Sequence, residues 1–171
     1  DLGKDSIKAG IVSLSIGFAL VILFMFFKYR IFGLISNISL ISNLLMLTGI
    51  LTILEATLTL PGIAGIILTV GMAVDSNVLI YERIKEELKT EKSVIHAFDI
   101  GYNKAKITVL DANITTLIAA SILFIFGSGP VKGFAVTLGI GIITTLFSAY
   151  YIARHMTSII VLNSKNQNNI K

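Results

Sequence analysis

Asp75 is a lone carboxylate inside the apolar run 60–81 (LPGIAGIILTVGMAVDSNVLIY), and no other charged residue lies between Glu55 and Glu82. A carboxylate at the middle depth of a membrane helix is costly to insert, and such residues mark proton or ion paths. Desolvation there penalises the charged form, which suits a group that takes up and releases a proton. Asp75 precedes Arg83 by eight residues, so it lies about 12 Å inside the membrane at the helical rise. Gly71 stands one turn back on the same face and is small enough to let another helix approach closely. Ser76 adds a hydroxyl beside the acid. Asn77 points roughly 200° away around the helix, so this helix carries polar groups on two sides and belongs at the centre of a bundle.

A second polar stretch supplies the partner. Asp111, Thr115 and Ala119 form one stripe at helical spacing, and Ala112, Thr116 and Ala120 form the stripe beside it. Both are small or polar, suited to close packing and interhelical hydrogen bonds. Asp111 marks the cytoplasmic entrance, with Asn113 just inside it and Thr115 and Thr116 nearer the depth of Asp75. For Asp111, Asn113, Thr115 and Thr116, helix capping and ordinary packing account for the residue types as well as a proton relay does.

Other chemistries find no support. The chain has no Cys, which removes disulfides, thiolate metal ligands and thiol nucleophiles. His96 and His155 stand alone in polar connectors, without the neighbours of a metal site. The net charge of +4 is not gathered into a basic run interleaved with aromatics, so nucleic-acid binding is not indicated. Gly127-Ser128-Gly129-Pro130 has the look of a serine-hydrolase turn, but no histidine accompanies it at membrane level. No enzyme, metal or bound cofactor is expected.

The elements that must hold these residues are membrane helices. Of 171 residues, 54% are hydrophobic and 14% charged, and the charges gather between apolar blocks. The pattern predicts an all-α integral membrane bundle of five spans over 1–162, at about 9–27, 33–54, 60–82, 112–127 and 133–153. The first half of the second span (Ser36, Asn37, Ser39, Ser42, Asn43) is polar enough to start at the interface. Segment 83–106 reads as a helix extension followed by a short amphipathic surface helix, capped by Ser93. The tail 163–171, rich in Asn and Lys, reads as disordered.

Eleven Lys and Arg fall on one side of these spans and three (Lys4, Lys8, Lys132) on the other. The crowded side is therefore cytoplasmic. Five spans then place the N-terminus of this segment outside and its C-terminus inside, which calls for an earlier membrane helix to carry Asp1 across.

At these residues the sequence resembles a known family. TLPGIAG (59–65) followed by GMAVDSNVLIYERI (71–84), DANITTLI (111–118) and GSGPVKGFAVTLGIG (127–141) resemble SecD of the SecD/SecF protein-export family, within the resistance–nodulation–division (RND) superfamily. Ser76 stands where that family commonly has Ala, and Glu55 where it commonly has a small residue. The resemblance implies a six-helix unit lacking its first helix here, together with a large periplasmic domain outside this sequence. It implies that Asp75 takes part in proton movement driving late preprotein translocation across the bacterial inner membrane. The implied partners are SecF, the Sec channel (SecYEG) with SecA on the same pathway, and unfolded preprotein; the energy source is the proton gradient. A proton-coupled small-molecule exporter of the same superfamily, or a purely structural translocon scaffold, would use the same fold.

Overall fold

The computed structural model describes residues 2–56, 59–90 and 93–163. Six α-helices follow one another: α1 (Leu2–Tyr29), α2 (Ile31–Ile53), α3 (Leu60–Thr90), α4 (Val94–Phe126), α5 (Pro130–Phe147) and α6 (Arg154–Asn163). A π-helical turn, Ser148–Ala153, joins α5 to α6 so that the two run on as one rod. Among the described residues five rods are long and apolar enough to cross a membrane. The five-span all-α bundle is as the apolar blocks predict.

Several boundaries differ from those predicted. α1 begins at Leu2, a full two turns before residue 9. More consequentially, the fourth span at 112–127 is the second half of a helix of 33 residues, and no separate surface helix occupies the described residues of 83–106. Residues 83–90 complete α3, and α4 starts at Val94 with the Ser93 hydroxyl accepting from the His96 N–H. The physical reason is packing. Phe98, Tyr102, Ala105 and Val109 form a buried stripe that meets Ile80, Tyr81 and Ile84 of α3, so Asp99 and Lys106 stay exposed on a docked helix while Lys104 pairs with Glu87 of α3. Gly101 makes the approach possible, since a Cβ there would meet the Ile84 Cα at 2.7 Å. Of the tail expected at 163–171, only Asn163 is described, where it ends α6; the remainder lies outside the described residues.

α3 is the central element, in contact with α1, α2, α4 and α5. Its tightest neighbour is α5, which runs parallel to it. Thr137 packs over Gly65, and one turn further along both helices Thr69 fills the space that a side chain at Gly141 would need. Such small-residue contacts bring backbones close where no water is available to drive association. α1, by contrast, exposes Ile16, Leu20, Phe24 and Phe27 along its outer side, a surface suited to lipid or a further helix.

The polar first half of α2 is not interfacial. Ser36, Asn37, Ser39 and Asn43 are buried in the bundle. Ser39 and Ser148 exchange hydrogen bonds between their hydroxyls and backbone carbonyls, the Ser148 hydroxyl donating to the Ser39 carbonyl at 2.6 Å. Asn43 Nδ2 donates to Thr145 Oγ1 at 3.0 Å. Polarity that reads as an address at the membrane surface is instead consumed as an interhelical seam.

Candidate functional site

The period of α3 splits its polar residues between two faces. Ala73, Ser76, Asn77 and Ile80 are buried, whereas Gly71, Asp75 and Leu79 are exposed on the opposite side. Asp75 therefore does not point into the five-helix bundle. It lies at the edge of a cleft of about 110 Å³ where α3 meets α4, lined also by Met72, Ser76, Val109, Asn113 and Thr116.

The cleft brings part of the predicted set together. The Ser76 hydroxyl donates to the Met72 carbonyl at 2.8 Å, and the Thr116 hydroxyl donates to the Ala112 carbonyl at 2.9 Å. Both hydroxyl hydrogens are thus committed to backbone, leaving lone pairs free to accept. Asn113 is buried, with Nδ2 donating to the Val109 carbonyl at 2.7 Å and Oδ1 without a partner among the described residues. An unmet acceptor inside a membrane bundle is expensive. A carboxyl that has taken up a proton becomes an O–H donor, and three side-chain oxygens capable of accepting border the same cleft.

Other predicted residues fall elsewhere. Asp111 and Thr115 are exposed, and the Thr115 hydroxyl donates back to the Asp111 carbonyl at 2.8 Å. Asn77 is buried on the far side of α3 from the acid, as its angular position predicts. At Gly71 an added Cβ would find nothing within 4 Å, so among the described residues no helix approaches there. The small-residue contacts lie on the α5 side of α3 instead, at Gly62, Gly65 and Thr69.

Two features at the basic end escaped the sequence reading. Glu87, mostly buried, ties the helices together by pairing with Arg83 of α3 at 3.3 Å and Lys104 of α4 at 2.9 Å. Glu82 accepts from the Tyr29 hydroxyl at 2.8 Å and from Lys85 at 3.3 Å, joining α1 to α3. The i, i+4 spacing of Arg83 and Glu87 was a visible signal. The contacts to Lys104 and Tyr29 span a long stretch of chain and left none.

Comparison with known proteins decides the family. Residues 1–163 match the family described as protein export membrane protein SecD/SecF, C-terminal. The chain belongs to the SecD/SecF family. Among its relatives, the protein translocase subunit SecD of Desulfurispirillum indicum is 58% identical over 94% of this chain and 31% of its own length. That of Magnetococcus marinus is 51% identical over 96% of this chain, again 31% of its own length. A crystal structure of SecDF from Thermus thermophilus, a translocon-associated membrane protein, superposes with a TM-score of 0.92 at 42% identity, covering 96% of this chain and 23% of that one. The SecD/SecF segment described here thus spans about a third of the length of the SecD relatives it matches. It is a multi-pass membrane segment of that family.

Proposed function

We propose that this chain is the membrane-embedded part of a Sec export subunit that uses the proton motive force to assist late preprotein translocation across the inner membrane. The observation that carries the reading is Asp75, an acid in an apolar span without an ion-pair partner among the described residues, in a cleft bordered by the side chains of Ser76, Asn113 and Thr116. An exposed carboxylate in such a span is not stable against hydrocarbon, so another surface must cover the α3 face that bears it. SecF is the partner proposed for that surface. The relatives' role as protein translocase subunits supports the export assignment; SecYEG is the channel proposed, with SecA on the same pathway.

Protonation of Asp75 removes the charge and supplies a donor to the oxygens around it; release restores a charge that needs water or a partner cation. A cycle requires access to each side in turn, and a bundle that rocks about α3 would provide it. The Lys and Arg distribution orients the 83–106 region toward the cytoplasm, with the N-terminus of the segment periplasmic. Preprotein would be handled by a periplasmic domain outside this segment.

The test is Asp75→Asn in the full-length protein, measuring preprotein release with and without a proton gradient. The expected result is loss of the gradient-dependent part alone. Undiminished gradient-dependent release would leave a structural scaffold, and intact release with altered drug sensitivity would point to a small-molecule exporter.

A further inference from the structure

The hairpin of α1 and α2 turns on a single residue. α1 ends at Tyr29 and α2 starts at Ile31, so Arg30 alone makes the corner. Its N–H donates to the Phe26 carbonyl at 3.0 Å, and its carbonyl accepts from the Leu34 N–H at 3.0 Å. Gly33 lets the helices close so abruptly, because a Cβ there would run into the Met25 carbonyl. The corner holds Arg30 at φ 49° and ψ −114°, a conformation that suits glycine and strains a residue with a Cβ. Glycine would make this turn at less cost, so the arginine side chain calls for a use of its own.

That side chain borders an apolar hollow. Arg30 lines a cavity of about 480 Å³ whose other walls are Phe26, Phe27, Ile31 and Leu34. All four are exposed, Phe27 at 76%. Two exposed apolar stripes lead away from the hollow at helical spacing. Leu23, Leu20 and Ile16 follow Phe27 along α1, and Ile38, Ile41 and Leu45 follow Leu34 along α2.

Charge at the corner is positive. Lys28 and Lys85 flank Tyr29, their Nζ atoms 5.5 and 4.5 Å from its ring, and Glu82 accepts from the Tyr29 hydroxyl between them. Among the described residues the ion pairs of this end engage Arg83, Lys85 and Lys104, and Arg30 takes part in none. An unpaired guanidinium at a helix corner, with apolar grooves beside it, complements an anion that carries acyl chains.

We propose that the α1–α2 corner binds an anionic phospholipid, with its phosphate on Arg30 and its acyl chains along the exposed stripes of α1 and α2. The planar fork of the guanidinium matches the two free oxygens of a phosphodiester. Phe26 and Phe27 stand where aromatic rings border headgroup and hydrocarbon. Lys28 and Lys85 add attraction at a distance. The proposed orientation puts this lipid in the cytoplasmic leaflet, and the site does not depend on the role of Asp75.

The chain has no Trp, so one placed at the hollow reports on the lipid beside it. Phe27→Trp, in full-length protein otherwise free of tryptophan and with its partner subunits, is reconstituted in phosphatidylcholine containing phosphatidylglycerol. One lipid or the other carries brominated acyl chains, which quench an adjacent indole, and the two mixtures together give the preference of the site. Tyr151→Trp, exposed at the same end of the bundle beyond α5, serves as the control for bulk lipid. Preference for phosphatidylglycerol is expected to be about fivefold or more greater at residue 27 than at residue 151. Arg30→Gln should abolish that difference, Arg30→Lys should keep part of it, and Arg30→Gly should abolish it while relieving the corner. Equal preference at the two reporters, or a difference that survives Arg30→Gln, overturns the site. An equal loss in Lys106→Gln, on α4, also overturns it, since diffuse attraction by the basic end would then account for the preference.

Discussion

The two sides of α3 treat polar residues in opposite ways. Toward α5 the interface is closed: Thr69 nests against Gly141 and Thr137 covers Gly65, and beside it Ser39 bonds to Ser148 and Asn43 Nδ2 donates to Thr145 between α2 and the α5 rod. Toward α4 the interface is tight only at its basic end, where Gly101 admits Ile84, and it opens into cavities at Leu79 and Asp75. The closed side spends its polar groups on holding helices together. Among the described residues Asn43 Oδ1 and Asn77 Oδ1 on the closed side lack a donor just as Asn113 Oδ1 does on the open side, but the open side adds a carboxylate, Asp75, without an ion pair. The difference teaches that polarity in a membrane helix is not by itself a sign of transport. What matters is whether the group can change its charge, as a carboxyl can and an amide or hydroxyl cannot.

Substitutions on the two sides can break that comparison. The largest effect is expected at Gly141→Val, whose side chain would run into Thr69. Overpacking of this kind should cost about 1–3 kcal/mol, seen as a lower melting temperature in detergent; an unchanged melting temperature would show the seam to be loose. Ser148→Ala removes the hydroxyl that bonds across the π-helical turn to Ser39. A loss of about 1 kcal/mol is expected from interhelical hydrogen bonds of this type, and a double substitution with Ser39→Ala should cost less than the sum of the two.

Smaller effects are expected on the open side. Glu87→Gln weakens the pairs to Arg83 and Lys104, whose side chains are about half exposed, so the cost should stay under about 1 kcal/mol. Raised salt should reproduce part of that loss in the parent protein and little in the variant. Gly71→Ala should stabilise the segment slightly, by at most about 1 kcal/mol, since it improves helix propensity and meets nothing. If the same change impairs export while stability holds, the exposed face of α3 is a contact surface in the assembly. If neither moves, that face is not closely covered at Gly71.

Much of this architecture was legible in the residues. The isolation of Asp75 in an apolar run gave its helix, and the angular offset of Asn77 gave the two-sided character of α3. The full length of α4 was obscured because Lys104, Lys106 and Asp111 break the hydropathy of 94–111. Yet Phe98, Tyr102, Ala105 and Val109 repeat at the spacing of a buried helical stripe, and that signal was there to be weighed. The buried polar half of α2 was misread for a different reason. Ser39 and Asn43 find partners more than a hundred residues away, and polarity alone does not reveal whether a partner exists. Gly71 meets no other helix among the described residues, and the ground is the same: spacing shows the face, not what covers it.

The central claim is that Asp75 exchanges protons while the assembly exports protein. The most direct measurement follows a pH-sensitive dye inside vesicles that hold the full-length protein, its partner subunits and an engaged preprotein. In the parent protein, export should be accompanied by a gradient-driven change in internal pH. In Asp75→Asn that export-linked change should vanish while the melting temperature stays within a few degrees of the parent. An export-linked pH change as large in Asp75→Asn as in the parent would contradict the account.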